Sequence, residues 1–239
     1  MSGSISYIFY AVDKPLSRAQ RAEVAELSRR AYPTARQVEF VYNVEGYDLP
    51  AAYESLLAKY YDIMVRQDYE QWTLGMAWDY DAALYRALKP FECDDGEGCG
   101  VRVEPINARY QRWGEHKVAK PTRLLAEITA YLDYGVMESI KGLRPLPWER
   151  APEDESDEDE EEEWGDEYGE GDSWEDTLVQ LTNCIREDVL KGDLRAFYLA
   201  WDKFHDPDSK VSAEPPSGLK KLPTYLQGLR RMLLTSGER

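Results

Sequence analysis

The sequence predicts an α+β fold, with a layered N-terminal domain, an acidic linker and a helical C-terminal region. In the N-terminal part, strand-like alternation and helix-like apolar spacing follow one another along the chain. A run of Asp and Glu then interrupts the apolar pattern, and helical spacing returns beyond it. The predicted bounds are 1–150 for the α+β domain, 151–172 for the linker and 173–239 for the helical region, which we expect to pack on the first domain or on a partner.

The first elements are predicted from apolar patterning and helix signals. Residues 5–12 are apolar on both faces, as expected of a strand inside a sheet. Ser17 and Gln20 form a capping-box pattern that opens a helix. Alternation over 38–44 predicts a half-buried strand, and Pro50 stands at the start of a second helix.

Later elements follow the same reasoning. Alternation over 72–78 predicts a third strand, and Asp79 or Asp81 can cap a short helix after it. Residues 101–113 fit a fourth strand or a hairpin. The predicted order is β-α-β-α-β-α-β, either ferredoxin-like or partly parallel. Residues 122–140 are predicted to be helical from their apolar spacing.

The charge of the chain is concentrated in one stretch. The net charge is −17, and residues 151–176 contain 16 acidic side chains and no basic one. The run 153–163 cannot bury apolar area and repels itself, so it predicts an extended, solvated linker. A tail that binds a basic partner is the alternative.

Three helices are predicted after the linker. Ser173 and Asp176 give a capping pattern for the first, and Gly192 is placed to end it. Asp193 can cap the second, and Pro223 stands near the start of the third. The first two helices would form a helical hairpin.

Composition favours a folded protein of the cytoplasm. Hydrophobic residues make up 43% of the chain and aromatic residues 12%. No apolar run reaches the roughly 18 residues of a membrane span, and the N-terminus lacks the features of a secretory signal. Three cysteines, an odd number, fit a reducing compartment better than a disulfide framework. We therefore predict a cytoplasmic location and no membrane partner.

The sequence contains no catalytic or cofactor motif, so we predict no catalytic residue and no cofactor. His116 and His205 are far apart and lack a nucleophile motif. The glycines of 96–100 do not form a phosphate-binding loop. Cys93 and Cys99 are candidates for a metal or thiol site, but a closed zinc site needs four ligands. A turn is the simpler interpretation of the Asp- and Gly-rich stretch between them.

One basic-aromatic cluster is a candidate nucleic-acid interface, because such a surface can hold phosphates and stack a base. An ordinary sheet face or edge is the alternative, since alternation divides these residues between two faces. The acidic linker could also fold back and screen the cluster. The candidate contacts are Arg109, Arg112, Trp113, Lys117 and Lys120, and the cluster also includes Arg102, Tyr110 and Arg123.

A candidate protein-interaction surface lies on the second C-terminal helix. Phe197, Tyr198, Trp201 and Phe204 share one helical face. Aromatic residues are enriched in protein interfaces. The alternative is that these residues belong to the core.

Two segments resemble an uncharacterised family of bacterial proteins. The first is 7–31, which contains the sequence DKPL at 13–16, and the second is 192–201, which begins GDLRA. The resemblance implies a bacterial accessory protein and provides no functional residues.

These observations favour a non-enzymatic protein-interaction or regulatory accessory protein of a bacterial cytosolic system, with another protein as its partner. A nucleic-acid-associated accessory protein, with its basic-aromatic cluster screened by the linker, is the first alternative. A metal- or thiol-dependent enzyme is the second.

Overall fold

The computed structural model describes residues 4–29, 31–43, 53–68, 71–109, 120–131, 134–137, 139–150, 174–207 and 213–235. The predicted linker and residues 110–119 lie outside these ranges. The described residues form a mixed structure of strands and helices, which confirms the α+β class.

The strands are β1 (Ser4–Tyr10), β2 (Gln37–Asn43), β3 (Ile63–Asp68), β4 (Gln71–Asp79), β5 (Cys93–Asp94), β6 (Gly100–Ile106) and β7 (Arg123–Tyr131). The helices are α1 (Arg18–Ala25), α2 (Tyr53–Lys59), α3 (Ala82–Leu88), α4 (Tyr134–Met137), α5 (Trp174–Leu190), α6 (Arg195–Phe204) and α7 (Thr224–Thr235). Short 3-10 turns occupy Lys89–Phe91 and Pro147–Arg150.

The strands form one sheet in the order β2-β1-β3-β4-β7-β6-β5. Every neighbouring pair is antiparallel. A partly parallel sheet, one of the two expected arrangements, is therefore wrong. β1 is flanked by strands on both sides, as its apolar faces predicted.

Each face of the sheet carries its own hydrophobic core. On one face, Phe9 and Phe40 pack with Leu57 of α2. On the other face, Leu74 packs in the same core as Ile185 of α5. The C-terminal helices thus share a core with the sheet, and α5 lies against β3 and β4.

Local signals place several elements where they were expected. Ser17 and Gln20 form the capping box of α1, with the N–H of Ser17 donating to Gln20 Oε1 over 2.9 Å. Asp81 caps α3 by accepting from the N–H of Ala83 at 2.6 Å. None of the helices in the described ranges combines the length and the apolar character that a membrane span requires.

The helix predicted over 122–140 is wrong. Its first half is β7 (Arg123–Tyr131), which pairs with β4 and β6 in the interior of the sheet, and only the four residues of α4 (Tyr134–Met137) are helical in its described part. Leu124 and Leu125 face opposite sides of the sheet, and both are fully buried. A strand that is apolar on both faces cannot be distinguished from a buried helix by periodicity alone.

The predicted element order is also incomplete, because it lacks β3. Residues Ile63, Met64 and Val65 are apolar and follow α2 closely, so no turn signal separates them from the helix in the sequence. β3 pairs with both β1 and β4 and is buried at its start.

Candidate functional site

An open cleft of about 370 Å³ lies between the sheet edge and the start of α5. Residues at the end of β1 and the beginning of β2 form one side. The first turns of α5 and the 3-10 turn Pro147–Arg150 form the others. The polar and aromatic side chains that line it include Tyr10, Arg36, Gln37, Trp148, Glu149 and Asp176.

Three stacked side chains shape the cleft. The rings of Tyr10 and Trp148 are nearly parallel, with an interplanar angle of 12° and centroids 6.1 Å apart. The Arg36 guanidinium carbon lies 4.9 Å from the centroid of the Trp148 ring. The Nη1 atom of Arg36 also donates to the carbonyls of Ala11 and Val12, at 2.9 and 3.1 Å. The Arg36 charge is therefore directed toward the chain's own backbone.

Carboxylates converge on the Tyr10 hydroxyl. Burial raises the pKa of Tyr10, and the negative charges of Asp176, Glu149 and Glu39 raise it further, in that order. Burial also raises the pKa of Glu39, as does the nearby Glu175 carboxylate. Three carboxylates and one guanidinium, that of Arg36, therefore lie in or beside the cleft, which leaves an excess of negative charge there.

The acidic stretch of the sequence is joined to this cleft at both ends. Glu149, which lines the cleft, comes shortly before 151–173, and Asp176 comes shortly after it. The chain therefore joins its most acidic stretch directly to two carboxylates of the cleft.

The structure divides the predicted basic-aromatic cluster. The Arg102 guanidinium donates to Glu54, Glu104 and Glu127 at 3.2, 2.9 and 2.8 Å, so its charge is neutralised internally. Arg123 donates to Asp62 at 2.6 Å and to the carbonyl of Ala77 at 3.1 Å. Neither arginine is presented to solvent as a phosphate contact would be.

The remaining members of the cluster are only partly described. Arg109 and Lys120 are exposed at the two ends of the 110–119 gap. Arg112, Trp113 and Lys117, with Tyr110, lie outside the described residues. The described residues therefore do not assemble the candidate nucleic-acid interface.

The aromatic face of α6 points into the core. Phe197, Trp201 and Phe204 are buried, and Phe91 meets Tyr198 edge-on at a centroid distance of 6.5 Å. Their apolar area is used to hold α6 on the sheet. A partner could contact the three buried rings only by displacing that packing, so the core alternative accounts for their placement.

The two candidate cysteines occupy a turn. Asp94 accepts from the N–H of Gly96, and Asp95 accepts from the N–H of Glu97 and of Cys99, at 2.7, 2.8 and 2.9 Å. Burial raises the pKa of the Cys93 thiol to about 11 and that of Cys99 to about 12. Neither thiol is therefore activated as a nucleophile, since nucleophilic attack needs the thiolate and an activated cysteine has a lowered pKa. Within the described ranges, no three His, Cys, Asp or Glu side chains are placed to hold a metal ion.

No sequence pattern distinguishes the cleft residues Tyr10, Arg36 and Trp148. Tyr10 lies within the strand predicted over 5–12, and Arg36 and Trp148 belong to no motif. The one signal near them in the sequence is the acidic stretch, which Glu149 precedes and which ends at Asp176. No family model, curated protein or solved structure matches the chain.

Proposed function

We propose that this chain is a non-enzymatic interaction protein that receives a positively charged partner at the cleft beside α5. The observation that carries the proposal is that Glu149 and Asp176 line the same cleft as Tyr10, whose pKa their charges and that of Glu39 raise beyond the effect of burial. Arg36 is the cation among the described residues that line the cleft, and its hydrogen bonds to neutral carbonyls leave its charge in place. The three carboxylates outnumber this one guanidinium, so the region keeps an excess of negative charge that attracts a cation.

The acidic stretch supports the same proposal. Sixteen acidic side chains lie within 151–176, and a charge of this density attracts cationic partners and speeds their association at low salt. The cleft supplies shape and aromatic surface that an acidic sequence alone cannot supply. Together they favour a basic protein segment as the partner.

A salt-dependent binding titration tests the proposal. The probe is a fluorescein-labelled octalysine peptide, followed by anisotropy at low and at physiological ionic strength. Replacing two cleft carboxylates, by Glu149→Gln and Asp176→Asn, should weaken binding about three- to tenfold, since each solvent-accessible ion pair contributes about 0.2–1 kcal/mol. The weakening should shrink as salt screens the charges.

A matched variant separates the cleft from net charge. Asp202→Asn with Glu214→Gln removes the same number of charges from exposed positions that do not line the cleft. Binding by this control should stay close to that of the unmodified chain. Equal weakening in both double variants, or no binding at low salt, would refute the proposal.

A further inference from the structure

The edge strand β2 lies beside the cleft, and its hydrogen bonds show which way its backbone groups point. The N–H of Ala11 donates to the carbonyl of Arg36 at 2.8 Å, so Arg36 faces β1. Gln37 faces away from β1: its carbonyl accepts from the N–H of Thr34 at 2.8 Å, and its N–H donates to Thr34 Oγ1 at 2.9 Å. The outer side of β2 therefore begins at Gln37.

Alternation along the strand assigns the next outward groups. In an antiparallel ladder, successive residues direct their N–H and C=O groups to opposite sides. Glu39 and Val41 therefore point these groups away from β1. In the part of the chain that the structure describes, β2 ends the sheet and no hydrogen bond reaches these outward groups. This edge can accept another strand.

The side chains at this edge share the face of the cleft. Gln37 lines the cleft, and the two-residue period places Glu39 and Val41 on the same face. Val41 is 45% exposed, which is unusual among the large apolar side chains of the described residues. The Glu175 carboxylate of α5 is close enough to raise the pKa of Glu39. The exposed edge thus presents an acid and an apolar side chain two positions apart.

We propose that β2 binds an extended segment of the partner by antiparallel strand addition, with Lys or Arg opposite Glu39 and an apolar residue opposite Val41. From its N-terminus, the partner segment therefore carries an apolar residue, any residue and a cation. Directly opposite residues in an antiparallel pair lie on the same face and interact. Backbone hydrogen bonds provide affinity, and the two side-chain pairs provide the choice of partner. This inference rests on the proposed function and specifies how the basic partner docks.

Charge selects this occupant over a second copy of the chain. A cation opposite Glu39 relieves its repulsion with Glu175, whereas the net charge of −17 opposes self-association. Antiparallel addition also matches the pairing of every other neighbouring strand in the sheet.

The test is an NMR titration of the full chain labelled with nitrogen-15. The probe is a capped seven-residue threonine peptide in which a valine precedes a lysine by two positions. The amide signals of Glu39 and Val41 should shift on addition of peptide up to millimolar concentration. N-methylation of the valine and lysine, whose amides would face β2, should reduce affinity at least tenfold. N-methylation of the two threonines that flank the lysine should change it less than threefold, because those amides face away.

A charge swap tests the side-chain pairing. Glu39→Lys should weaken binding of the lysine peptide about fivefold or more. A peptide with glutamate in place of lysine should bind this variant better than it binds the unmodified chain. Glu39 belongs to neither hydrophobic core and is exposed overall, although its carboxylate is partly desolvated, so the exchange leaves the core intact.

The outcomes distinguish this inference from the proposed function. If the signals of Trp148 and Gln180 shift and the two methylated peptides bind equally well, the proposal of a basic partner in the cleft would stand but strand addition would be refuted. No shifts at millimolar peptide would refute both. If the β2 amide signals shift with protein concentration in the absence of peptide, the edge binds a second copy of the chain and the inference is refuted.

Discussion

Arg186 of α5 donates from Nη1 and Nη2 to the two carboxylate oxygens of Asp13, at 3.0 and 2.6 Å, across 173 residues of sequence. Its Nε donates to the carbonyl of Ala77 at 3.0 Å. One guanidinium therefore joins α5 to the segment that follows β1 and to β4. Its side chain is only 4% exposed, whereas that of Asp13 is 56% exposed. The arginine is thus the member of the pair that depends on its partners for solvation.

Replacing Arg186 should destabilise the packing of α5 on the sheet. Arg186→Met leaves the Ala77 carbonyl without this donor, while Asp13 can be rehydrated. We therefore expect a loss of about 2–3 kcal/mol in the free energy of unfolding, at the lower end for a broken buried ion pair. Arg186→Lys should lower the free energy of unfolding by less, because lysine keeps the positive charge. It should still lower it, because lysine cannot reproduce the bidentate geometry. Urea unfolding followed by circular dichroism measures both.

Lys191 on the same helix provides the control. Its side chain is 65% exposed and lies 3.6 Å from Asp188, so Lys191→Met should change the free energy of unfolding by under about 1 kcal/mol. If Arg186→Met were as stable as that control, the guanidinium would not be the tie between α5 and the sheet.

Arg102 should be more sensitive to replacement, because its partners are more deeply buried. Glu54 and Glu127 are 1% and 3% exposed, and the hydroxyl of Tyr53 donates to Glu127 at 2.8 Å. The carboxylates, with Glu127 first, hold the pKa of Arg102 far above its ordinary value despite burial. Arg102→Met would leave two buried carboxylates without this cation, at a cost of about 3–5 kcal/mol at pH 7.

The pH dependence of that variant tests the explanation. Without the guanidinium, burial and mutual repulsion should raise the pKa values of the two buried carboxyls in the folded state. Their protonation would then stabilise the folded variant as pH falls. The difference in free energy of unfolding between the variant and the unmodified chain should therefore become smaller between pH 7 and pH 5. The control is Glu104→Gln, at a side chain 34% exposed. A deficit of the Arg102→Met variant that is independent of pH would contradict this account.

The sequence contained enough local information for some elements and too little for others. The hydrogen bonds by which Ser17 and Asp81 cap their helices reach no further than three residues along the chain. The starts of these two helices could therefore be identified from the sequence. β7 could not, since Leu124 and Leu125 are both buried and the strand shows no alternation. Its identity as a strand depends on pairing with β4 and β6, which is a nonlocal property.

The candidate site was less predictable than the fold. The rings of Tyr10 and Trp148 stack although the two residues are far apart in the sequence, and neither residue belongs to a motif. Arg102 illustrates the converse, because a basic residue beside aromatic residues suggested a nucleic-acid surface. Its three carboxylate partners come from α2, β6 and β7 and are brought together only by the fold.

Buried tyrosines should make the fold sensitive to alkali. Burial is the largest cause of the raised pKa values of Tyr10, Tyr61 and Tyr225. Below the unfolded tyrosine pKa of about 10, both states keep these protons and stability is unaffected. Above it, the unfolded chain releases protons that the folded chain retains, so the free energy of unfolding should fall as pH rises. Absorbance at 295 nm should show part of the 17 tyrosines ionising only with unfolding.

Tyr61 allows that assignment to be checked. Its hydroxyl is buried and has no hydrogen-bond partner among the described residues. Tyr61→Phe should therefore remove one tyrosine from the delayed fraction and leave stability unchanged or slightly increased, because no hydrogen bond is lost. Ionisation of all tyrosines in a single phase while the circular dichroism spectrum stays native would contradict the prediction.

Gly228 holds α7 close to the segment that follows α4. A Cβ atom at this position would lie 2.9 Å from Cγ1 and 3.1 Å from Cγ2 of Ile140, closer than packed carbon atoms allow. Gly228→Ala should therefore destabilise the chain by about 1–3 kcal/mol through overpacking, even though alanine is the better helix former. Ile140→Ala removes both crowding carbon atoms, Cγ1 and Cγ2, so the double variant should recover part of the loss relative to Ile140→Ala alone. Thermal unfolding of the four proteins in this cycle measures the coupling, and simple additivity would show that the Ile140 contact does not set the requirement for glycine.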